Sequence, residues 1–172
     1  MVYTENNPAT ANDIWLLPLE GERKPSLWLQ TPYREFTPAL SPDGRWLAYV
    51  SNESRRNEVY VQPFPGPGER IQVSVEGGEE PAWTRDGREL FYRSGDSLMA
   101  VPVTAGERFS AGRPVALFQG EFDSSNNIRG YDVSPDGQSF VMVQRDPQAP
   151  PVEVNVVLNW FEELKRRVPM VR

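Results

Sequence analysis

Short apolar runs flank a turn sequence that recurs three times along the chain. Leu40 precedes Ser41-Pro42-Asp43-Gly44, and Leu47 and Tyr49 follow it. Trp83 precedes Thr84-Arg85-Asp86-Gly87, with Leu90 and Tyr92 after it. Val133 precedes Ser134-Pro135-Asp136-Gly137, with Phe140 and Met142 after it. Proline presets φ, Asp bonds nearby backbone and Gly accepts φ > 0, so each segment is chemistry for a tight reversal. Turn plus apolar flanks predicts a β-hairpin. A second marker alternates with the first: Ile14-Trp15-Leu16-Leu17-Pro18-Leu19, Val59-Tyr60-Val61-Gln62-Pro63-Phe64 and Leu98-Met99-Ala100-Val101-Pro102-Val103. Its proline cannot donate to a ladder, which places it near a strand end or on an exposed side. A third strand is predicted in each unit, at Leu27-Trp28-Leu29, Ile71-Gln72-Val73 and Val115-Ala116-Leu117-Phe118.

The two markers hold one phase. Asp43, Asp86 and Asp136, like Pro18, Pro63 and Pro102, recur every roughly 40–50 residues, the period of β-propeller blades. Each repeat holds about four short strands, which is one blade. The expected fold class is therefore all-β: a partial β-propeller of about four four-stranded antiparallel blades, forming a single domain over residues 1–172. The blades are expected near 2–30, 36–75, 80–119 and 129–161. The first and last are incomplete. The first lacks the turn hairpin and begins at what reads as its second strand, Met1-Val2-Tyr3-Thr4. The fourth has its hairpin and the run from Val154 to Trp160. A short C-terminal helix is expected from Phe161 to Arg167, where Glu162 and Glu163 precede Lys165 and Arg166 in the order that suits the helix dipole.

Composition narrows the chemistry. Hydrophobic residues make up 38% of the chain, with 5 Trp, 6 Tyr and 8 Phe, which argues for a folded core. The net charge of −6 makes nucleic acid and anionic membrane poor partners. Lys165-Arg166-Arg167, beside Arg172, reads as a solvated tail. There is no Cys and no His, so Ser-His and Cys-His catalysis and zincin-type sites are impossible within the chain. No run approaches the roughly 20 apolar residues of a membrane span, and membrane insertion is not expected. The N-terminal residues carry no signal-peptide pattern, and localisation is not legible from these residues.

The repeats resemble the WD-like repeats of TolB-type propellers. The likeness is closest to C-terminal propellers fused to bacterial eukaryotic-like serine/threonine kinases. It is carried by Glu80-Pro81-Ala82-Trp83-Thr84-Arg85-Asp86-Gly87-Arg88-Glu89-Leu90-Phe91-Tyr92, by Leu98-Met99-Ala100-Val101-Pro102-Val103, and by Tyr131-Asp132-Val133-Ser134-Pro135-Asp136-Gly137. Val156-Val157-Leu158-Asn159-Trp160, followed by Glu163-Leu164-Lys165, adds to it. The resemblance implies recognition of a protein or small polar ligand by a sensor or scaffold domain, in an extracytoplasmic setting for the parent protein. The chain itself carries no Gly-rich phosphate loop, His-Arg-Asp loop or Asp-Phe-Gly, so no kinase activity is assigned to it.

Asp43, Asp86 and Asp136 are explained by the turns rather than by calcium, since no Asp-x-Asp-x-Asp-Gly loop exists. Trp46, Trp83 and Trp160 are expected to pack between blades. Residues just before each innermost strand come near a mouth of the central channel. These candidate ligand-binding residues are Arg34, Glu35, Glu79, Glu80, Arg129 and Asp132; solvated rim charges are the alternative reading. The polar loop from Asp123 to Asn127 is a further candidate contact. No catalytic residue, metal ligand or cofactor is assigned. The expected function is non-catalytic protein or ligand binding. The alternative is a metal-dependent hydrolase or lactonase-like enzyme working through carboxylates at the mouth. A homodimer is expected, closing a ring of about eight blades over an apolar face of the first blade for which Trp15, Leu17 and Trp28 are candidates.

Overall fold

The structure is a computed structural model and describes residues 1–123 and 128–144. Fourteen strands are present and no helix occurs among the described residues. The expected strand from Val154 to Trp160, the C-terminal helix, the basic tail, Trp160 and most of the polar loop after Asp123 lie outside the described residues.

The strands form antiparallel sheets that follow one another in chain order. The first sheet has three strands, β1 (Val2–Asn7), β2 (Ala11–Leu16) and β3 (Ser26–Leu29), in that order. The second is a complete four-stranded unit of β4 (Glu35–Leu40), β5 (Trp46–Ser51), β6 (Glu58–Pro63) and β7 (Ile71–Gln72). The third contains β8 (Glu79–Trp83), β9 (Glu89–Ser94), β10 (Ser97–Ala105), β11 (Phe109–Ala111) and β12 (Val115–Gln119). The described part of the fourth is the hairpin of β13 (Tyr131–Val133) and β14 (Phe140–Met142). Among the described residues, the first sheet thus has no counterpart of the inner strand that β4, β8 and β13 supply to the others.

One feature departs from the sequence pattern. β10 runs nine residues, pairing with β12 along its first half and with β11 along its second. The third sheet therefore has five strands. Nothing in the repeat foretold β11, because it is an insertion between the second marker and the expected third strand.

Period-two alternation explains how the sheets stack. On β5, Trp46, Ala48 and Val50 join the core between the second and third sheets, while Leu47 and Tyr49 face the first sheet. On β9, Leu90 and Tyr92 turn to the second sheet and Phe91 turns to the fourth. Central strands with apolar residues on both faces must be covered on both sides, which is why their runs read as nearly continuous hydrophobic sequence. The result is the face-to-face stack of a partial β-propeller. Trp46 and Trp83 are in this core as expected, both packed against Phe109 of the unforeseen β11. Trp28 differs from its expected place. It lies in the seam between the first two sheets, edge-on to Tyr49 and tilted against Phe64, and its Nε1–H donates to Pro65 O at 2.6 Å. A bulge between Ile14 and Trp15 shifts the β2–β3 register.

Candidate functional site

The site is built on the inner strands, whose far ends are fixed by the repeated turn. In each turn a hydroxyl does two jobs. Ser41, Thr84 and Ser134 donate to Asp43, Asp86 and Asp136, and accept from the backbone N–H of Trp46, Glu89 and Ser139. Each Asp also accepts from the backbone N–H two residues on. These bonds hold the carboxyls below the usual range, Asp43 at about 2, mainly through the Ser41 hydroxyl. Gly44, Gly87 and Gly137 take φ of 71°, 70° and 71°, the left-handed region that the turn requires.

Nearer the start of β4 and β8 the backbone bulges. Thr37 on β4 and Glu80 on β8 occupy equivalent bulge positions, with φ of 47° and 57°. The bulge re-aims these side chains out of the alternating pattern. Glu80 is buried and ties the third sheet to the fourth. Its Oε2 accepts from Gly130 N at 2.8 Å, its carbonyl accepts from the Tyr131 hydroxyl at 2.8 Å, and its Oε1 lies 3.5 Å from Arg93 Nη1. Arg93 is buried too and donates to the carbonyls of Asp123 and Gly95. Burial raises the Glu80 carboxyl, opposed by the Gly130 N–H and Arg93.

Glu35 is fully buried at the head of β4. Its Oε1 accepts from Thr31 Oγ1 at 2.6 Å and Ser51 Oγ at 3.2 Å, while its Oε2 has no partner. Asp13 lies close enough to raise it further, although desolvation is the larger cause. Asp13 is also fully buried; its Oδ2 accepts from Asn7, Thr10 and Gln30, and its Oδ1 is unpartnered. Arg34 donates from Nε to Asn12 Oδ1 at 3.1 Å and covers the Phe36 ring. Glu79 accepts from Asn57 Nδ2 at 2.5 Å. Arg129 and Asp132 are exposed and pair at 3.3 Å.

The six candidate residues therefore do not form one mouth. Arg129 and Asp132 line a concavity of about 820 Å³, which is also bordered by Val2 to Thr4 of β1, Thr37 and Pro38 of β4, and Pro81 of β8. Ile128, Met142 and Val143 complete its apolar wall. Arg34, Glu35, Glu79 and Glu80 are absent from that lining. Sequence reasoning missed three buried charged groups, Asp13, Glu58 and Arg93. A signal for two of them existed: Asp13 and Glu58 both stand five residues before the proline of the second marker. Glu58 accepts from Arg56, from Ser74 and from Gly77 N, so the pair of positions anchors β2 and β6 to their loops. Among the described residues, no three His, Cys, Asp or Glu side chains group as a metal site, and no helix is long and apolar enough to cross a membrane.

Comparison with known proteins yields matches to segments of the chain. It is 58% identical over 38 residues to the Tol-Pal system protein TolB of Methylococcus capsulatus, covering 22% of this chain and 9% of that protein. It is 49% identical over 41 residues to the TolB of Thioalkalivibrio sulfidiphilus, covering 24% and 9%. It is 36% identical over 90 residues to tricorn protease homolog 1 of Streptomyces coelicolor, covering 46% and 8%. The matched segments span less than a tenth of the length of these curated relatives. The crystal structure of TolB from Acinetobacter baumannii aligns with a TM-score of 0.48 at 19% identity, over 86% of this chain and 47% of that one. No family model matches. The repeats are thus similar to TolB-type propeller sequence.

Proposed function

We propose that the chain is a non-catalytic binding module of TolB-like type, holding a protein segment or a small polar ligand in the concavity walled by β1 and the inner strands. The observation that carries this reading is the concavity itself. Its volume of about 820 Å³ falls within the range of ligand pockets, and it combines apolar walls with one exposed ion pair, Arg129–Asp132. Of the carboxylates that a hydrolase would use at a mouth, Glu35 and Glu80 are buried, Glu79 is held by Asn57, and Asp132 alone lines the concavity, paired with Arg129. The likeness of the repeats to kinase-fused propellers makes a sensor or scaffold role in a longer bacterial protein our preferred setting.

Self-association belongs to the same reading. Tyr3, Trp15 and Leu27 are register partners and share the face of the first sheet turned away from the second. Val141 and Val143, 77% and 58% exposed, alternate with Phe140 and Met142, of which the latter two pack on the third sheet. Two copies related by a twofold axis would bury both faces.

A screen of random decapeptides and small polar fragments by NMR tests the binding site. The expected hits shift Arg129, Asp132 and Met142 and are lost in Arg129→Ala. Hits that map elsewhere, or metal-dependent turnover of lactones or esters, would overturn the reading.

A further inference from the structure

We infer that the buried carboxylates of Asp13 on β2 and Glu35 on β4 hold a calcium ion between them, where the first sheet meets the second.

Four carboxylates are buried among the described residues, those of Asp13, Glu35, Glu58 and Glu80. Two of them have an arginine: Arg56 Nε donates to Glu58 Oε1 at 2.6 Å, and Arg93 Nη1 lies 3.5 Å from Glu80 Oε1. The other two have neutral donors, Asn7, Thr10 and Gln30 on Asp13 Oδ2 and Thr31 and Ser51 on Glu35 Oε1. They are also neighbours, since the charge of Asp13 raises the Glu35 carboxyl. Arg70, whose charge acts on Glu35, is paired with Glu53, and Arg34 donates from Nε to Asn12 Oδ1. No N–H reaches Asp13 Oδ1 or Glu35 Oε2. Burial of a carboxylate is costly unless an opposite charge accompanies it, and here two like charges are buried side by side. Both residues are 0% exposed, so no further protein segment, from this polypeptide or another, meets them without opening the structure. The countercharge is therefore of atomic size.

The repeat marks this place as the exception. Asp13 and Glu58 occupy one repeat position, five residues before the marker proline. Glu35 stands two residues before the bulge residue Thr37, where Gly78 stands two before Glu80. Beside Glu58 there is no room for a second acid: a side chain at Gly78 would run into Ser74, which donates to Glu58. Beside Asp13 that glycine is replaced by Glu35. The atoms left without partners are both carboxylate oxygens, which suit a hard cation. Calcium balances both charges, whereas sodium leaves one. Magnesium keeps several of its waters, which an enclosed site does not accommodate. A proton on Glu35 would leave Asp13 charged and the two oxygens unbridged. Because the site is closed, binding of the ion is coupled to packing of the first sheet on the second.

The test melts the full chain at neutral pH in EDTA and in about 1 mM calcium chloride. Calcium is expected to raise Tm by about 5 °C or more, since an ion that binds only the folded chain stabilises it by mass action. Glu35→Gln is expected to abolish that rise. Because it removes one of two like buried charges, it is also expected to melt no lower than the parent in EDTA, which a purely structural role for Glu35 would not give. Terbium bound in place of calcium supplies a reading that needs no variant. Its luminescence is expected to decay at nearly the same rate in H2O and D2O, because an enclosed ion carries few waters. No rise of Tm with calcium in the parent would overturn the inference. So would an equal rise in Glu35→Gln, or a terbium decay much faster in H2O, which places the ion on the surface. A chain stabilised by acid and indifferent to calcium would show that a proton is the countercharge, and would overturn it too.

Discussion

Ser41 and Asp43 illustrate how much of the fold depends on single side chains. Their hydroxyl–carboxylate bond, repeated at Thr84–Asp86 and Ser134–Asp136, pins each hairpin from inside. The glycine that follows is in the left-handed region, where a β-branched side chain is strained. Gly44→Val or Gly87→Val is expected to cost roughly 1 kcal/mol or more, read from urea midpoints. No Cβ neighbour lies near Gly44, so its cost would be conformational rather than steric. The titrations of two kinds of carboxylate run in opposite directions. The turn aspartates are held below their ordinary value of 3.8, so their contribution is present above that pH and is lost as pH falls through the folded values. Burial holds Glu35 above its ordinary 4.5, so its contribution is present below that pH and is lost as pH rises through the folded value. Glu35→Gln is expected to reduce the decline on the alkaline side, leaving the share that the likewise raised Glu80 contributes, and to leave the acid limb unchanged. Urea midpoints taken across the acid range check this; an unaltered alkaline-side slope would refute it.

At the scale of elements, the seams between sheets carry the structure. The seam between the second and third is apolar, and β11 contributes to it through Phe109, whose ring lies 5.4 Å from that of Trp46 and 6.2 Å from that of Trp83. Phe109→Ala is expected to destabilise by about 3–5 kcal/mol, which would establish β11 as part of the core rather than an ornament on the loop. The seam between the third and fourth adds to its apolar cluster a polar tie of Arg93, Glu80 and Tyr131. Replacing Arg93 by Ala leaves the Glu80 carboxyl buried without its cation, and a loss of about 3–5 kcal/mol is expected. Tyr131→Phe removes only the bond to the Glu80 carbonyl and should cost about 1 kcal/mol. Chemical denaturation of the two variants separates these outcomes; equal losses would contradict the assignment of the ion pair as the main tie.

For the molecule as a whole, the described sheets leave two outward faces, that of the first sheet and that of the fourth. Two copies joined face to face are expected to sediment at twice the monomer mass of 19.5 kDa at micromolar concentration. Leu27→Lys, on the face of the first sheet away from the second, should return the protein to monomer without lowering its melting temperature. A clean monomer mass for the parent chain would show the pairing of copies to be wrong.

The repeat of Ser/Thr-x-Asp-Gly and of the marker proline determined the all-β class, the hairpins and, among the described residues, the four sheets and the first sheet's want of an inner strand. Those features follow from φ restrictions and from the donor that proline lacks, which are local and therefore legible in order along the chain. Trp46 and Trp83 were legible as core for the same reason: their strand positions settle which face they occupy. Tertiary structure alone decided the rest. The bulge at Glu80 turned that side chain into the seam, Glu35 was buried at the head of β4, and Arg129 and Asp132 stayed exposed, so residues expected at one mouth were divided. Trp28 entered a seam because the β2–β3 register shifts beside it. Burial of a charge depends on partners far away in sequence, such as Glu80 meeting Gly130, and no local pattern carries that distance.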